Sequence, residues 1–201
     1  MQARKGQIVD ASIIDAPKQR NNREENAQIK AGETPDRFKE NPNIARQKDI
    51  DARWTMKNNT TYYGYKNHIC IDNEHKLIRS YDVTSASVHD SNVFHALLTT
   101  NSSKVVWADS AYRSKTAEAK LKENGYRSNV HKKGTKNKPL SDTQNALNKK
   151  KSSIRARVEH VFGSIKNEQN GLFVRVIGLS RAATKISLTN FLQHEANDDI
   201  E

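Results

Sequence analysis

Hydrophobic positions along the chain gather in a few short runs separated by long polar stretches. IVDASII at 8–14 is β-rich, carries one carboxylate, Asp10, in its middle and is closed by Pro17. YYGYKNHICID (62–72) and LIRSYDVTS (77–85) hold β-branched and aromatic residues on either side of a charged turn, NEHK, which predicts two neighbouring antiparallel strands. VVWAD at 105–109 is a continuous apolar run ending in a carboxylate. That is the pattern of a central strand buried on both faces, with Asp109 at its C-terminal end. A short strand is expected around RSNVH, 127–131.

Helical signals lie between these runs. His89, Asp90 and Ser91 supply polar starts for a helix through NVFHALLTT, with Asp90 or Ser91 as the cap. A helix from Ser114 to Asn124 is stopped by Gly125 in the place of a left-handed C-cap. Ile154, Val158, Val161, Phe162 and Ile165 recur at helical spacing, and 179–194 predicts a last helix. Residues 18–60 lose the apolar pattern: Pro35, Pro42, many Asn, and ten basic against seven acidic residues suit a long solvated insertion.

The length of 201 residues favours one main domain. The net charge of +11 favours a polyanionic partner, through phosphate neutralisation and counterion release. That charge is local, since Arg127 to Arg157 holds ten Lys or Arg and one acid, +9 of the total. No stretch approaches the roughly 20 apolar residues of a membrane span, and the N-terminus lacks a secretory apolar run, so a soluble, cytosolic protein is expected. Cys70 stands alone inside a strand pattern and is assigned no chemistry.

At 100° per residue, Glu159 lies about 40° and Lys166 about 20° from Arg155 around a helix, so the three share a face at the edge of the buried stripe. Each acid has a plain structural alternative. Asp10 could face a turn, Asp109 could cap the following helix, and Arg155 with Glu159 could be a surface i, i+4 pair. As a set, two carboxylates on separate strands and a third on a late helix, inside a basic chain, suit hard divalent cations and phosphoryl transfer.

The ordered segments IVDASIIDAP, KDIDARWTMK leading into YYGYKNHICID, SASVHDSNVFHALL, VVWADSAY and SIRARVEHVFGSIK resemble the DDE transposases of the insertion-sequence-five group, related to the insertion-sequence-four group. The resemblance runs from about Ile8 to about Leu192. It implies an α/β, RNase H-like fold: a mixed five-strand sheet flanked by helices, over residues 1–195, with the polar insertion at about 18–60 and an acidic tail at 196–201. It maps the catalytic, metal-holding acids to Asp10, Asp109 and Glu159, with two Mg²⁺ or Mn²⁺ ions, and maps the Arg and Lys of the third motif to Arg155 and Lys166. Where the related group has a Tyr three residues before that Arg, this chain has Ser152. The implied activity is cleavage at transposon ends and transfer of the freed 3′ ends into target DNA. Arg155 and Lys166 would hold phosphates near the metals, while Arg157, Lys132, Lys133, Lys149, Lys150 and Lys151 would track the DNA backbone.

The expected working form is a homodimer on DNA. The family's N-terminal end-recognition region is not seen before Asp10, which suggests a separately encoded N-terminal part. The competing class is a basic, non-catalytic DNA-binding remnant of a transposase. His68, His89 and His160 show no zinc spacing. Asp90 and Asp72 fit a cap and a turn, Trp107 fits the core, and Trp54 fits either base stacking or packing beside the YYGY strand.

Overall fold

The computed structural model describes residues 5–98 and 103–198. In chain order its elements are β1 (Gln7–Asp15), α1 (Arg23–Lys30), α2 (Asp36–Glu40), α3 (Pro42–Ala45), β2 (Arg53–Lys57), β3 (Thr60–Asp72), β4 (Ile78–Ser85), α4 (Phe94–Leu97), β5 (Val105–Trp107), α5 (Lys115–Glu123), β6 (Arg127–Ser128), α6 (Asp142–Gln169) and α7 (Leu179–Asp198). No helix among the described residues is long and apolar enough to cross a membrane.

Strand β3 is the spine of the sheet. It pairs antiparallel with β1 from Gln7↔Asp72 to Asp15↔Gly64, and with β4 from Tyr65↔Ser85 to Ile71↔Ile78, as the two apolar runs and their charged turn predict. β5 runs parallel to β1 but pairs only at Gln7↔Val106 and Ile8↔Trp107, and β6 runs parallel to β5. The order β4, β3, β1, β5, β6 is the expected five-strand mixed sheet of an RNase H-like fold. A sixth strand, β2, pairs with the start of β3 from Arg53↔Gly64 to Lys57↔Thr60. It is joined to β3 by Asn58 and Asn59, both at positive φ, which suits a two-residue hairpin whose twist matches that of the strands. The expected five strands are therefore six among the described residues, because the polar segment at 18–60 itself contributes one.

Period-2 alternation gives β1 two buried faces. Ile8, with Ile69 and Ile71, packs under Val158, Val161 and Ile165 of α6, while Ile14, Tyr63, Tyr65 and Val83 pack under Ala182 and Ile186 of α7. On the other face Val9, Cys70 and Val106 meet Phe94, Leu97, Tyr112 and Leu121. Each of the large aliphatic residues contributes about 1.5–3 kcal/mol by leaving water. The face-sharing of α6 with β1 is what brings a helix carboxylate toward a strand carboxylate.

Caps and a buried carboxylate order the segment at 18–60. Asn22 and Glu25 form a capping box for α1, Asn41 caps α3, and Ile29, Phe38 and Ala52 are buried. Asp49 is the hub. Its carboxylate accepts from the amides of Asp51 and Ala52 at 2.9 and 3.0 Å, from the Tyr65 hydroxyl at 2.5 Å and from the Gly178 amide at 3.2 Å. Asp51 accepts from the Leu179 amide at 2.8 Å, so two acids of this segment sit on the positive end of α7.

Several boundaries differ from expectation. The run after His89 makes a 3-10 turn, Asp90–Asn92, and then the short α4, while positions 99–100 lie outside the described residues. The turn is capped by His89, whose Nδ1 accepts from the Ser91 amide, in place of Asp90 or Ser91. Asp90 instead takes Lys66 at 2.9 Å. α6 starts at Asp142, twelve residues before Ile154, because Ser141 and Gln144 form a capping box at its start. The tail at 196–201 lies partly outside the described residues.

Candidate active site

Because β5 pairs with β1 only as far as Ile8, the two parallel strands separate beyond that point. Asp10 stands just past the separation on β1, and Asp109 stands two residues past the end of β5. His131, three residues past the end of β6, donates its amide to the Ala108 carbonyl at 3.0 Å, which aligns it beside Asp109. Three side chains capable of acid-base or ligand chemistry thus collect where the parallel pairing gives out, Asp109 and His131 past the C-terminal ends of β5 and β6 and Asp10 within β1, and a crevice opens there.

Helix α6 closes this crevice from one face. It is fastened there by Asn148, which exchanges two 2.9 Å hydrogen bonds with the backbone of Lys132, and by Lys151, whose Nζ donates to the Val130 carbonyl at 3.0 Å. Arg113 donates to the same carbonyl at 3.0 Å. About one turn beyond Lys151, Arg155 donates to Asp10 Oδ2 at 2.5 Å and to Glu159 Oε1 at 2.7 Å. The sequence-level pairing of Arg155 with Glu159 is present, and the same guanidinium also reaches the strand acid. Lys166, on the same helix face, is exposed and its side chain makes no hydrogen bond or ion pair among the described residues.

The electrostatics mark Asp10 as the strained member. Its side chain is 17% exposed, and its pKa is raised to about 6. Burial is the main cause and the Asp109 charge adds to it, while Arg155, the Ala11 amide and Lys57 act in the other direction. Asp109 also caps the 3-10 turn Ser110–Tyr112 through the Ala111 amide at 2.7 Å. Glu159 is 58% exposed and turns toward solvent. Among the described residues no three His, Cys, Asp or Glu side chains stand close enough together to hold an ion. Asp10 and Glu159 are gathered on one guanidinium, and Asp109 lies within electrostatic reach of Asp10.

The donor set nevertheless suits a divalent cation. Carboxylate oxygens are the ligands Mg²⁺ and Mn²⁺ prefer, and a desolvated carboxylate beside a second one demands positive charge. Buried polar atoms around it also lack partners: Arg155 Nε, the Tyr112 hydroxyl and His131 Nε2. Sequence reasoning missed Tyr112 and His131. Burial first, then the charges of Asp10, Asp90 and Asp109, push the Tyr112 hydroxyl far above its ordinary range. Burial and then Arg155 lower the pKa of His131, against Asp109. The available signal was positional: RSNVH ends in His as VVWAD ends in Asp, and Tyr112 closes VVWADSAY.

The other expected contacts divide. Lys133, Lys149 and Lys150 are exposed, and Lys132 is half-buried with its backbone tied to Asn148. Arg157 donates to the Asn73 carbonyl, and Lys151 is held as described. His68 is buried, its pKa lowered to about 4 chiefly by burial, with Nε2 against the Thr84 hydroxyl at 2.9 Å. Asp72 is buried and accepts the His75 amide at 2.6 Å, a turn role. Burial pushes the Cys70 thiol up to about 12, leaving it inert at neutral pH. Trp107 packs into the core beneath α6, and Trp54 packs its ring against Tyr63 at 5.0 Å.

The amino-acid sequence matches known proteins over nearly the whole chain. The transposase for insertion sequence element IS1106 of Neisseria meningitidis serogroup B is 31% identical over 186 residues, which cover 90% of this chain and 60% of that relative. The chain therefore spans about 60% of the length of the relative. The family model described as a transposase DDE domain matches residues 2–192, and the chain belongs to that family.

Proposed function

We propose that this chain is the catalytic domain of a DNA transposase of the insertion-sequence-five group, which cuts DNA at transposon ends and joins the freed 3′ ends to target DNA. The observation that supports this reading most is that one guanidinium, Arg155 of α6, binds both Asp10 of β1 and Glu159, with Asp109 within electrostatic reach of Asp10. Asp10, Asp109 and Glu159 would hold the divalent ions, two Mg²⁺ or Mn²⁺, which when bound activate a water or DNA 3′-hydroxyl and stabilise the leaving oxygen.

The chain's own residues do the rest. Arg155 neutralises Asp10 and Glu159 in the free protein and, once released from them, is placed to take a DNA phosphate beside the acids. Lys166 presents a second free cation on the same face. The exposed Lys133, Lys149 and Lys150 follow the backbone further out. Substrate ends are brought together by a homodimer, in the cytoplasm on the nucleoid.

The test is cleavage and joining of transposon-end DNA in Mg²⁺ or Mn²⁺. Activity is expected to vanish in Asp109→Asn and in Glu159→Gln. Activity that survives either substitution overturns the site. Salt-sensitive DNA binding that is indifferent to metal and to all three acids would instead identify a non-catalytic binding remnant.

A further inference from the structure

A second cleft, of about 390 Å³, adjoins the acidic crevice and contains none of the three acids. Ser12 of β1 lines it two residues beyond Asp10, and Lys166 of α6 lines it seven residues beyond Glu159. The opposite wall is the β2–β3 hairpin, which contributes Lys57, Asn58 and Tyr62. Continuity with the acids is electrical as well as spatial, because the Lys57 charge is felt by Asp10.

The cleft's polar groups are unspent. Among the described residues the Lys57 and Lys166 ammonium groups, the Asn58 amide and the Ser12 and Tyr62 hydroxyls make no side-chain hydrogen bond or ion pair. Elsewhere the fold uses such groups, as Lys66 on Asp90 and Lys151 on the Val130 carbonyl. The acid on the lining, Asp15, lies in the field of Lys18. The hairpin tip is also fixed in shape, since Asn58 and Asn59 both hold positive φ, so its side chains are presented by a rigid turn.

Two unpaired lysine side chains lining one cleft, with a half-buried phenol beside them, match one chemical class. Phosphates meet the lysines, and the ring offers a face on which a base stacks. The geometry points to this cleft as a binding site for a single DNA strand running out of the acidic crevice, with Lys57 and Lys166 on its phosphates, Asn58 on its sugar-phosphate edge and Tyr62 against a base. The inference rests on the reading of the chain as a DNA transposase and adds Lys57, Asn58 and Tyr62 to it.

The test measures binding of the full chain to labelled single-stranded and duplex oligonucleotides by fluorescence anisotropy in EDTA, where cutting plays no part. Lys57→Gln combined with Asn58→Gly, which keeps the turn's positive φ, is expected to weaken single-strand binding roughly fivefold to twentyfold. The salt slope should become shallower by about 0.7, with duplex binding changed less than about twofold. On the unsubstituted protein, a bromouracil-containing strand is expected to photocrosslink at Tyr62. Unchanged single-strand affinity, an equal loss for duplex, or crosslinks that bypass the hairpin would each overturn the strand site. If the unsubstituted chain binds neither DNA form, the transposase reading itself fails, which separates the two outcomes.

Discussion

The guanidinium of Arg155 lies 2.5 Å from the Asp10 carboxylate and, with its other terminal nitrogen, 2.7 Å from Glu159, so one cation from α6 ties a strand acid to a helix acid. Arg155 and Asp10 are 20% and 17% exposed, so the bond is largely shielded from solvent. Removing the cation leaves Asp10 desolvated beside Asp109. Arg155→Gln is expected to lose about 1–3 kcal/mol of unfolding free energy at pH 7 in denaturant titration without metal. A midpoint equal to that of the unsubstituted protein would show the pair to be energetically idle.

Metal and Arg155 also compete for the same oxygens. Calorimetric titration of the metal-free protein with Mn²⁺ should give tighter binding to Arg155→Gln by several-fold, and weaker binding to Asp10→Asn. Equal affinity across all three proteins would place metal binding elsewhere.

The Asp10 carboxyl has a sign that can be checked by pH. Its folded value of about 6 lies above its ordinary 3.8, so the folded state binds the proton more tightly. The stabilising contribution is complete below about pH 4 and is lost as pH rises through 6, leaving the ionised carboxylate as a burden at neutral pH. Asp10→Asn should therefore stabilise the metal-free protein by about 1–3 kcal/mol above pH 6, with the gain fading to nothing below about pH 4. A gain that grew toward acid pH would mean that the carboxylate is held ionised, the reverse of the proposed burial effect.

Much of this was legible in the sequence where apolar periodicity writes structure. The strands around Asp10, Cys70, Val83 and Val106 follow from β-branched runs, and the C-terminal half of α6 follows from Val158, Val161 and Ile165. Elements held by polar devices did not announce themselves to that pattern. Half of α6 lies on the surface and is begun by Ser141 and Gln144, and α1 is begun by Asn22 and Glu25. Both capping boxes stand in the sequence as a polar residue followed three positions later by Gln or Glu, so the signal existed. The union of Arg155 with Asp10 was not readable, because helix spacing fixes a face but not the strand it meets. The same limit hid His131 and the cleft between Lys57 and Lys166, which exist only once β6 and the hairpin are placed.

Asp49 carries a prediction about the segment between β1 and β3. Its carboxylate accepts four hydrogen bonds, from Asp51, Ala52, Tyr65 and Gly178, and it is 3% exposed. Asp49→Ala leaves the Tyr65 hydroxyl buried without its acceptor and frees the start of α7, for a loss of about 3–5 kcal/mol. Asp49→Asn keeps the shape and one acceptor oxygen and should lose less. Unfolding monitored by circular dichroism measures both, and an Asp49→Ala protein as stable as the parent would refute the hub.

The basic residues of α6 should separate by what they already hold. Lys149 and Lys150 are exposed and their side chains make no ion pair or hydrogen bond among the described residues, so their charges remain for phosphate. Lys151 is half-buried on the Val130 carbonyl, with its pKa lowered chiefly by burial, and Arg157 is bonded to the Asn73 carbonyl. The double substitution Lys149→Ala with Lys150→Ala should weaken duplex DNA binding and flatten the salt slope by about 1.8, at little change in stability. Lys151→Ala should instead lower stability by about 1 kcal/mol and leave the slope nearly intact, because its ammonium fastens the helix that carries Arg155 to the segment after β6 that carries His131. Anisotropy titrations across a salt series, read beside melting curves, distinguish the two. A slope change as large for Lys151→Ala as for one of the exposed lysines would mean that its bond to Val130 gives way to DNA.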